Sequence, residues 1–329
     1  MTPTPPSQRP IYDGFGAFHA QTIGPWLEER EACRARAVGR FYAVMSAGGV
    51  IAGAVLIFRP YGPSSLQAGV LLAAGFAALA FFLLDRTRTE ITRGLPERIA
   101  RRFGFTYSGD PGRPALYDQY RRLKLLPGHN REKFEDQVSG KYGGAAFTVG
   151  EAHLEIQSSG KHRSRRTVFN GQLIAVDYPR RFQGSTVVQR DMGAFNALSR
   201  PSKEFRRVGL SSPAFEKAFE AWTTDEVEAH ALLDPLVLER FQELERLFNG
   251  KKLRAAFDEG KLLIAIETGD RMTIGTMFRP IGGAERVERI LKEFDLIFDL
   301  IDVLVTRVET TTNGAFSLAD VKTKSANQR

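Results

Sequence analysis

Two uncharged apolar runs near the N-terminus constrain this chain more than any other feature of its sequence. They cover residues 41–58 and 66–84. As α-helices they would each measure roughly 27–29 Å at ~1.5 Å per residue, close to the ~30 Å hydrocarbon core of a bilayer. The linker between them, residues 59–65, contains two prolines and a glycine, which end helices and allow a tight reversal. The sequence therefore predicts a transmembrane helical hairpin over residues 41–84.

A signal peptide or a soluble helical core would also contain apolar runs. A cleaved signal peptide would place its apolar stretch nearer Met1 and would not be followed at once by a second span. A pair of buried helices in a soluble core is compatible with the many Ala and Gly residues of both runs. However, two consecutive uncharged runs with basic outer flanks are uncommon in soluble chains, so we expect lipid around them.

The basic residues on either side of the hairpin predict its orientation. Lys and Arg in short flanks favour the cytoplasmic side of a membrane. The outer flanks carry Arg30, Arg34, Arg36 and Arg40 before the first run, and Arg86, Arg88 and Arg93 after the second, whereas the linker has only Arg59. Both termini are therefore expected in the cytoplasm.

Small residues recur along both runs at a spacing of four, as Gly49 and Gly53 in the first and Gly69, Ala73 and Ala77 in the second. Such spacing allows close helix packing in a membrane. It predicts either packing of the two helices on each other or, through Gly49 and Gly53, assembly with a second copy or another membrane protein. Neither run contains an ionisable side chain, so an ion path inside the hairpin is not expected.

The rest of the chain predicts an α+β domain. Residues 1–40 would form a cytoplasmic tail and amphipathic helix, 85–133 a helical connector, 134–309 a cytoplasmic α+β domain and 310–329 a flexible tail. Alternation over 145–157, 167–179 and 185–191 predicts an antiparallel meander.

Local motifs add further elements to that domain. A hairpin is predicted at Asp258-Glu259-Gly260, whose glycine can adopt positive φ. Helix starts are indicated by Thr223 with Glu226 as a capping box and by Asp234-Pro235. A long C-terminal helix is expected over 284–308, with an apolar face that covers the sheet.

No arrangement of residues predicts catalysis, a cofactor or a metal. The single cysteine, Cys33, rules out an intramolecular disulfide, and no Gly-Lys sequence has the spacing of a phosphate-binding loop. His153 with Glu155, and Glu226 with His230, would each share one face of an element, but a metal site needs more than two ligands.

Charge is unevenly distributed within the net +8 of the chain. Residues 161–190 form a basic segment in which Asp177 is the only acid. We expect this segment to contact anionic lipid headgroups or an acidic protein. No nucleic-acid motif accompanies it. The predicted contact residues are Lys161, Arg163, Arg165, Arg166, Arg180 and Arg181.

Three stretches resemble a known family. They are Val168 to Gly171, the run TTDEVEAHALLDP from Thr223 to Pro235, and FDEGKLLIAI from Phe257 to Ile266. Together with the two apolar runs, they are similar to the bacterial domain-of-unknown-function family 3137, whose members are described as uncharacterised membrane proteins. The resemblance implies a bacterial inner-membrane protein with a cytoplasmic domain, and it implies no active site.

The expectation is therefore a membrane-tethered binding, scaffold or regulatory module without enzymatic activity. A membrane-associated enzyme with an unrecognised site, or a subunit of a membrane complex, are the alternatives. A deep pocket that gathers His153, His230 or several acids would favour the enzyme. An open face at Gly49 and Gly53 would favour the complex.

Overall fold

A computed structural model describes residues 5–58, 60–158, 164–178, 181–190, 200–210, 213–247, 251–268, 278 and 283–303. The chain forms two compact units. The N-terminal unit comprises Met1–Ile99 and Met272–Ile290, and the sheet unit comprises Ala100–Arg271 and Leu291–Arg329.

Two long helices make up most of the N-terminal unit. They are α2, Gly24–Phe58, and α3, Ser65–Arg102, and both continue well beyond the apolar runs. A 3-10 turn at Gly62–Ser64 lies between them. Before α2 come a 3-10 turn at Pro10–Tyr12, helix α1 at Phe15–Phe18 and a π-helical turn at His19–Ile23.

The sheet unit is built on nine antiparallel strands in the order β1-β2-β3-β4-β9-β8-β5-β7-β6. The strands are β1 Thr106–Ser108, β2 Arg131–Tyr142, β3 Ala145–Gln157, β4 Arg165–Asp177, β5 Thr186–Arg190, β6 Arg206–Val208, β7 Phe219–Thr223, β8 Lys251–Asp258 and β9 Lys261–Glu267. The predicted α+β class is confirmed.

The predicted hairpin at Asp258-Glu259-Gly260 is confirmed as the connection between β8 and β9. Glu259 and Gly260 both have positive φ, of 49° and 75°. A short connection between antiparallel strands requires this left-handed backbone, which glycine adopts without steric cost.

The predicted meander is correct for β3 and β4 and wrong for β5. β4 pairs with β9, and β5 pairs with β8 and β7, so the β8–β9 hairpin lies between β4 and β5. Alternation of apolar residues identifies a strand that is buried on one face, but it does not specify which strand pairs with it.

Helices α4 to α8 pack around this sheet. They are α4 Tyr117–Arg122, α5 Pro213–Glu216, α6 Glu226–Leu232, α7 Pro235–Leu247 and α8, residues 284–303. The cap before α7 is confirmed, because the Asp234 side chain accepts a hydrogen bond from the Leu236 backbone. The capping box at Thr223 is wrong, because Asp225 is the N-cap of α6 and accepts from the Glu228 backbone at 2.9 Å.

Both faces of the sheet are covered. On one face, Tyr117 and Tyr120 of α4 belong to a buried cluster with Phe134, Leu173 and neighbouring apolar residues. On the other, Phe298 of α8 stacks on Tyr142 and packs edge-on against Phe147. This confirms that α8 covers the sheet; the last predicted residues of that helix, 304–308, lie outside the described residues.

Candidate functional site

Helices α2 and α3 present a large exposed apolar surface. Both are long and apolar enough to cross a membrane, and only 17% and 11% of their most apolar stretches are buried. Phe58 is 81% exposed and Phe82 is 68% exposed. Exposed apolar surfaces beyond a few hundred Å² are rare on soluble monomers and indicate contact with a membrane or another protein.

The two helices pack at Gly69, as predicted, but on α2 the close approach is at Gly48 and not at Gly49 and Gly53. A Cβ built on Gly48 would lie 2.5 Å from the Phe76 Cβ, and one on Gly69 would lie 3.1 Å from the Leu56 side chain. Around Gly49 and Gly53 there is open space within 4 Å among the described residues. Gly48 and Gly69 therefore allow the close approach, and the face of Gly49 and Gly53 stays open.

Exposed arginines lie beside the apolar surface at the end where α2 begins and α3 ends. Arg30 is 3.8 Å from Glu90 of the facing helix, which fixes the two helices as an antiparallel pair at this level. Arg36, Arg40 and Arg86 are exposed. They therefore lie towards one end of the hairpin, and Arg59 lies outside the described residues.

The sheet unit contains a cavity of about 350 Å³ between strands β2–β4 and the segment that leads into α4. Its floor includes Leu173 and Ala175 of β4. Pro111, Pro114 and Leu116 line it from the overlying segment. Most of the lining is apolar, and the volume is at the small end of the roughly 300–1,000 Å³ that is usual for small-molecule sites.

The cavity exists because the residues of β3 that face the segment before α4 have small side chains. Ala146, Thr148 and Gly150 succeed one another on one face of β3, beside Leu173 and Ala175 in register. Further along the same face of β3, Ala152 and Leu154 are fully packed into the buried cluster. The core is therefore filled at one end of the strand and left hollow at the other.

An ion pair lies at one end of the cavity. Asp177 and Lys261 are directly opposite in the β4–β9 pair, and the Lys261 Nζ is 2.5 Å from the Asp177 carboxylate. Their side chains are 49% and 31% exposed. Glu135 and Glu151 also border the cavity, but alternation places their side chains on the face opposite Phe134 and Ala152. The described charged groups on the cavity face of the strands are thus already paired.

A buried carboxylate fixes α4 over the cavity. Asp258 is 2% exposed and accepts hydrogen bonds from Gln119 and Arg122 of α4, both at 2.6 Å, and from the Ser185 hydroxyl. Tyr120, between the two α4 donors, donates to the Ile174 carbonyl at 2.6 Å. Burial raises the pKa of the Tyr120 hydroxyl, which keeps it a donor. The wall of the cavity is therefore preorganised.

A second polar cluster ties the segment before α4 to β2. Arg113 donates to Glu132, and the Tyr117 hydroxyl lies 2.5 Å from His129 Nε2. Burial, with help from Glu132, raises the pKa of Tyr117 to about 12. Burial alone would raise the pKa of Glu132, but hydrogen bonds from Tyr117 and Arg113 outweigh it and lower that pKa.

The predicted anion-contacting residues do not form one described patch. Exposed Arg165 and Arg166 begin β4, whose 13 residues measure about 40 Å at ~3.3 Å per residue, and Arg181 follows the far end of that strand. Lys161, Arg163 and Arg180 lie outside the described residues.

The two His–Glu pairs of the sequence remain pairs in the fold. His153 Nε2 lies 3.3 Å from Glu155, and His230 and Glu226 are both exposed on α6. Within the described part of the chain, no three His, Cys, Asp or Glu residues are placed to hold a metal. None of these four residues lines the cavity.

Sequence reasoning missed the cavity altogether. The available indication was the run of small residues at alternate positions of β3, which differs from the larger residues that follow on the same face. That indication could not be interpreted without knowing that α4 and the preceding segment lie above these positions.

Comparisons with known proteins give a family match over the C-terminal part of the chain. No curated protein matches it significantly. Among solved structures, the mycobacterial trehalose monomycolate transport factor A, TtfA, matches with 11% identity and a TM-score of 0.34, over 64% of this chain and 96% of that one. At this TM-score the similarity supports no conclusion about this protein. Residues 167–305 match the family described as Protein of unknown function (DUF3137), and this match supports the predicted resemblance to that family.

Proposed function

We propose that this chain is a membrane-anchored module whose sheet unit is a cytoplasmic binding, scaffold or regulatory domain. In this proposal residues 41–58 and 66–84 cross the inner membrane of a bacterium, and both termini are cytoplasmic. The observation that carries it is the exposed, uncharged surface of α2 and α3, because apolar side chains such as Phe58 and Phe82 would otherwise face water.

Charge supports the proposed orientation. The exposed Arg36, Arg40 and Arg86 lie at one end of the apolar surface, where they would meet lipid headgroups on the cytoplasmic side. Each such cation contributes about 1 kcal/mol when it is near an anionic leaflet. Contact of Arg165, Arg166 or Arg181 with anionic lipid or an acidic protein stays a prediction.

Membrane fractionation tests the anchor. The full chain should stay in the membrane pellet after washes with high salt and alkaline carbonate, and should be released by detergent. A matched variant without residues 41–84 should leave the pellet. Release of the full chain by carbonate alone would mean that it is held only at the surface, and the proposal would be abandoned.

The open face at Gly49 and Gly53 favours a second role, as a subunit of a membrane complex. Small residues on an exposed membrane helix allow a second helix to approach closely. Chemical crosslinking in native membranes should give a product that Gly49→Leu removes. Gly75→Leu is the matched control, because Gly75 also has open space around it but lies on the other helix. Equal crosslinking in both variants would exclude this face as the contact.

A further inference from the structure

We propose that the cavity of the sheet unit binds an uncharged amphipathic small molecule of about a dozen non-hydrogen atoms, taking ~30 Å³ per water-sized group. The apolar part would fill the space over Leu173 and Ala175, and a hydroxyl, carbonyl or amide would bond to the polar groups of the cavity. The proposal rests on the binding role proposed above but not on the membrane anchor, so the two can fail separately.

The apolar part of the ligand follows from the lining. Protein interiors contain few voids larger than a water molecule, and a cavity of about 350 Å³ is far above that size. Its walls include Phe134, Leu173, Ala175 and Pro114. Such a surface is poorly wetted by water and favours an apolar occupant.

The polar part follows from two side chains that remain available. Thr148 and Gln137 both line the cavity and are half-buried. Neither makes a side-chain hydrogen bond with any residue in the described part of the chain. A hydroxyl and a primary amide can each donate and accept, so together they can satisfy a hydroxyl, carbonyl or amide of a ligand.

The absence of ligand charge follows from the ion pair beside the cavity. Asp177 and Lys261 are 2.5 Å apart and neutralise each other. An anionic ligand would have to compete with Asp177 for the lysine, and a cationic one with Lys261 for the aspartate. A neutral polar group avoids both displacements.

The wall of the cavity that α4 forms is fixed before a ligand binds. Asp258 holds Gln119 and Arg122, so α4 is fixed on both sides of Tyr120, which lines the cavity. The space therefore exists before a ligand arrives, and little ordering of the protein opposes binding.

Methyl NMR of the full chain in lipid nanodiscs tests the proposal. Ala146 and Ala175 both line the cavity, so their ¹³C-labelled methyl groups report on it rather than on the bilayer. The probes are 1-octanol, octanoate and octylammonium, which share one alkyl chain and differ in charge. We expect saturable shifts with 1-octanol and at least about tenfold weaker binding of the two ions, equivalent to about 1.4 kcal/mol.

Three variants make the test specific. Thr148→Val, which removes the hydroxyl at nearly constant shape, should weaken 1-octanol binding about fivefold. Thr167→Val is the matched control on an exposed position of β4 and should bind as the parent does. Ala146→Leu should fill the cavity and abolish the shifts of Ala175.

Three results would overturn the proposal. They are shifts that do not saturate with 1-octanol, tighter binding of either ion than of the alcohol, and equal affinity of Thr148→Val and Thr167→Val. If the chain failed to stay in nanodiscs, the anchor would be refuted, and the same titration in buffer would still decide the cavity.

Discussion

Replacing Gly171 by alanine is the most decisive test of how β4 and β9 are packed. A Cβ at this position would lie 2.0 Å from the Ile266 carbonyl oxygen and 2.8 Å from the Glu267 Cα, both backbone atoms. Ordinary contact begins near 3.4 Å, so the strands would have to separate by more than about 1 Å. That movement would disrupt the adjoining hydrogen bond from the Thr268 amide to the Asn170 carbonyl at 3.0 Å.

The magnitude follows from these contacts. Overpacking costs about 1–3 kcal/mol, and a lost hydrogen bond costs about 1 kcal/mol. Replacing glycine by alanine stabilises the fold by less than about 1 kcal/mol, because it reduces the conformational entropy of the unfolded chain. A net loss of about 3 kcal/mol would lower the melting temperature by about 6–12 °C in a domain of this size.

Thermal unfolding of the purified full chain, followed by tryptophan emission, measures the effect, since Trp222 lies in the sheet unit. Gly150→Ala is the matched control on β3, where the nearest atom to the new Cβ is a side-chain carbon at 3.4 Å. The control should stay within about 2 °C of the parent. If Gly171→Ala melted as the control does, the close approach of the two strands would be wrong.

Three further predictions test other contacts. Gly48→Ala should destabilise the helical pair by about 1–3 kcal/mol in a detergent melt, and Gly49→Ala should not. Asp258→Ala should cost about 3 kcal/mol in urea unfolding, whereas the exposed Glu259→Ala should be neutral. Burial raises the pKa of Tyr117 to about 12 from its ordinary value of about 10, so folding favours the neutral hydroxyl. The resulting contribution of Tyr117 to the free energy of unfolding should be complete below pH 10 and should disappear as the pH reaches about 12. The loss is about 3 kcal/mol, and Tyr117→Phe should abolish it in unfolding measured from pH 9 to 12.

The sequence was sufficient for elements whose determinants are local. The alternation over 145–157 coincides with β3, and Asp258 to Gly260 form the predicted connection between β8 and β9. The uncharged runs lie within α2 and α3. In each case the residue types that determine the element are neighbours in the sequence.

Features that depend on distant segments were not predictable. The position of β9 between β4 and β5 depends on strand pairing across about 90 residues of chain, which local alternation does not encode. The described basic residues of this segment lie at opposite ends of β4, because the strand Arg165–Asp177 comes between Arg165 and Arg181. The cavity depends on α4 lying above the small residues of β3.

The capping error has a local cause. Thr223 and Asp225 are both acceptable N-caps, and the sequence alone did not discriminate between them. In the structure Thr223 is the last residue of β7, and its hydroxyl accepts from the Asp225 amide at 3.1 Å. Because Thr223 belongs to β7, which pairs with β5, helix α6 begins after Asp225, the next side chain that can accept a backbone hydrogen bond.

Cysteine accessibility tests most directly whether the chain crosses the bilayer twice. Cys33 is the only cysteine, and it precedes the first apolar run on α2. Ser64→Cys in a Cys33→Ser background places the thiol in the turn between the helices. With a membrane-impermeant maleimide on intact spheroplasts, the variant should react and the parent should not, and inverted vesicles should give the reverse. Labelling of both thiols from the same side would contradict the hairpin.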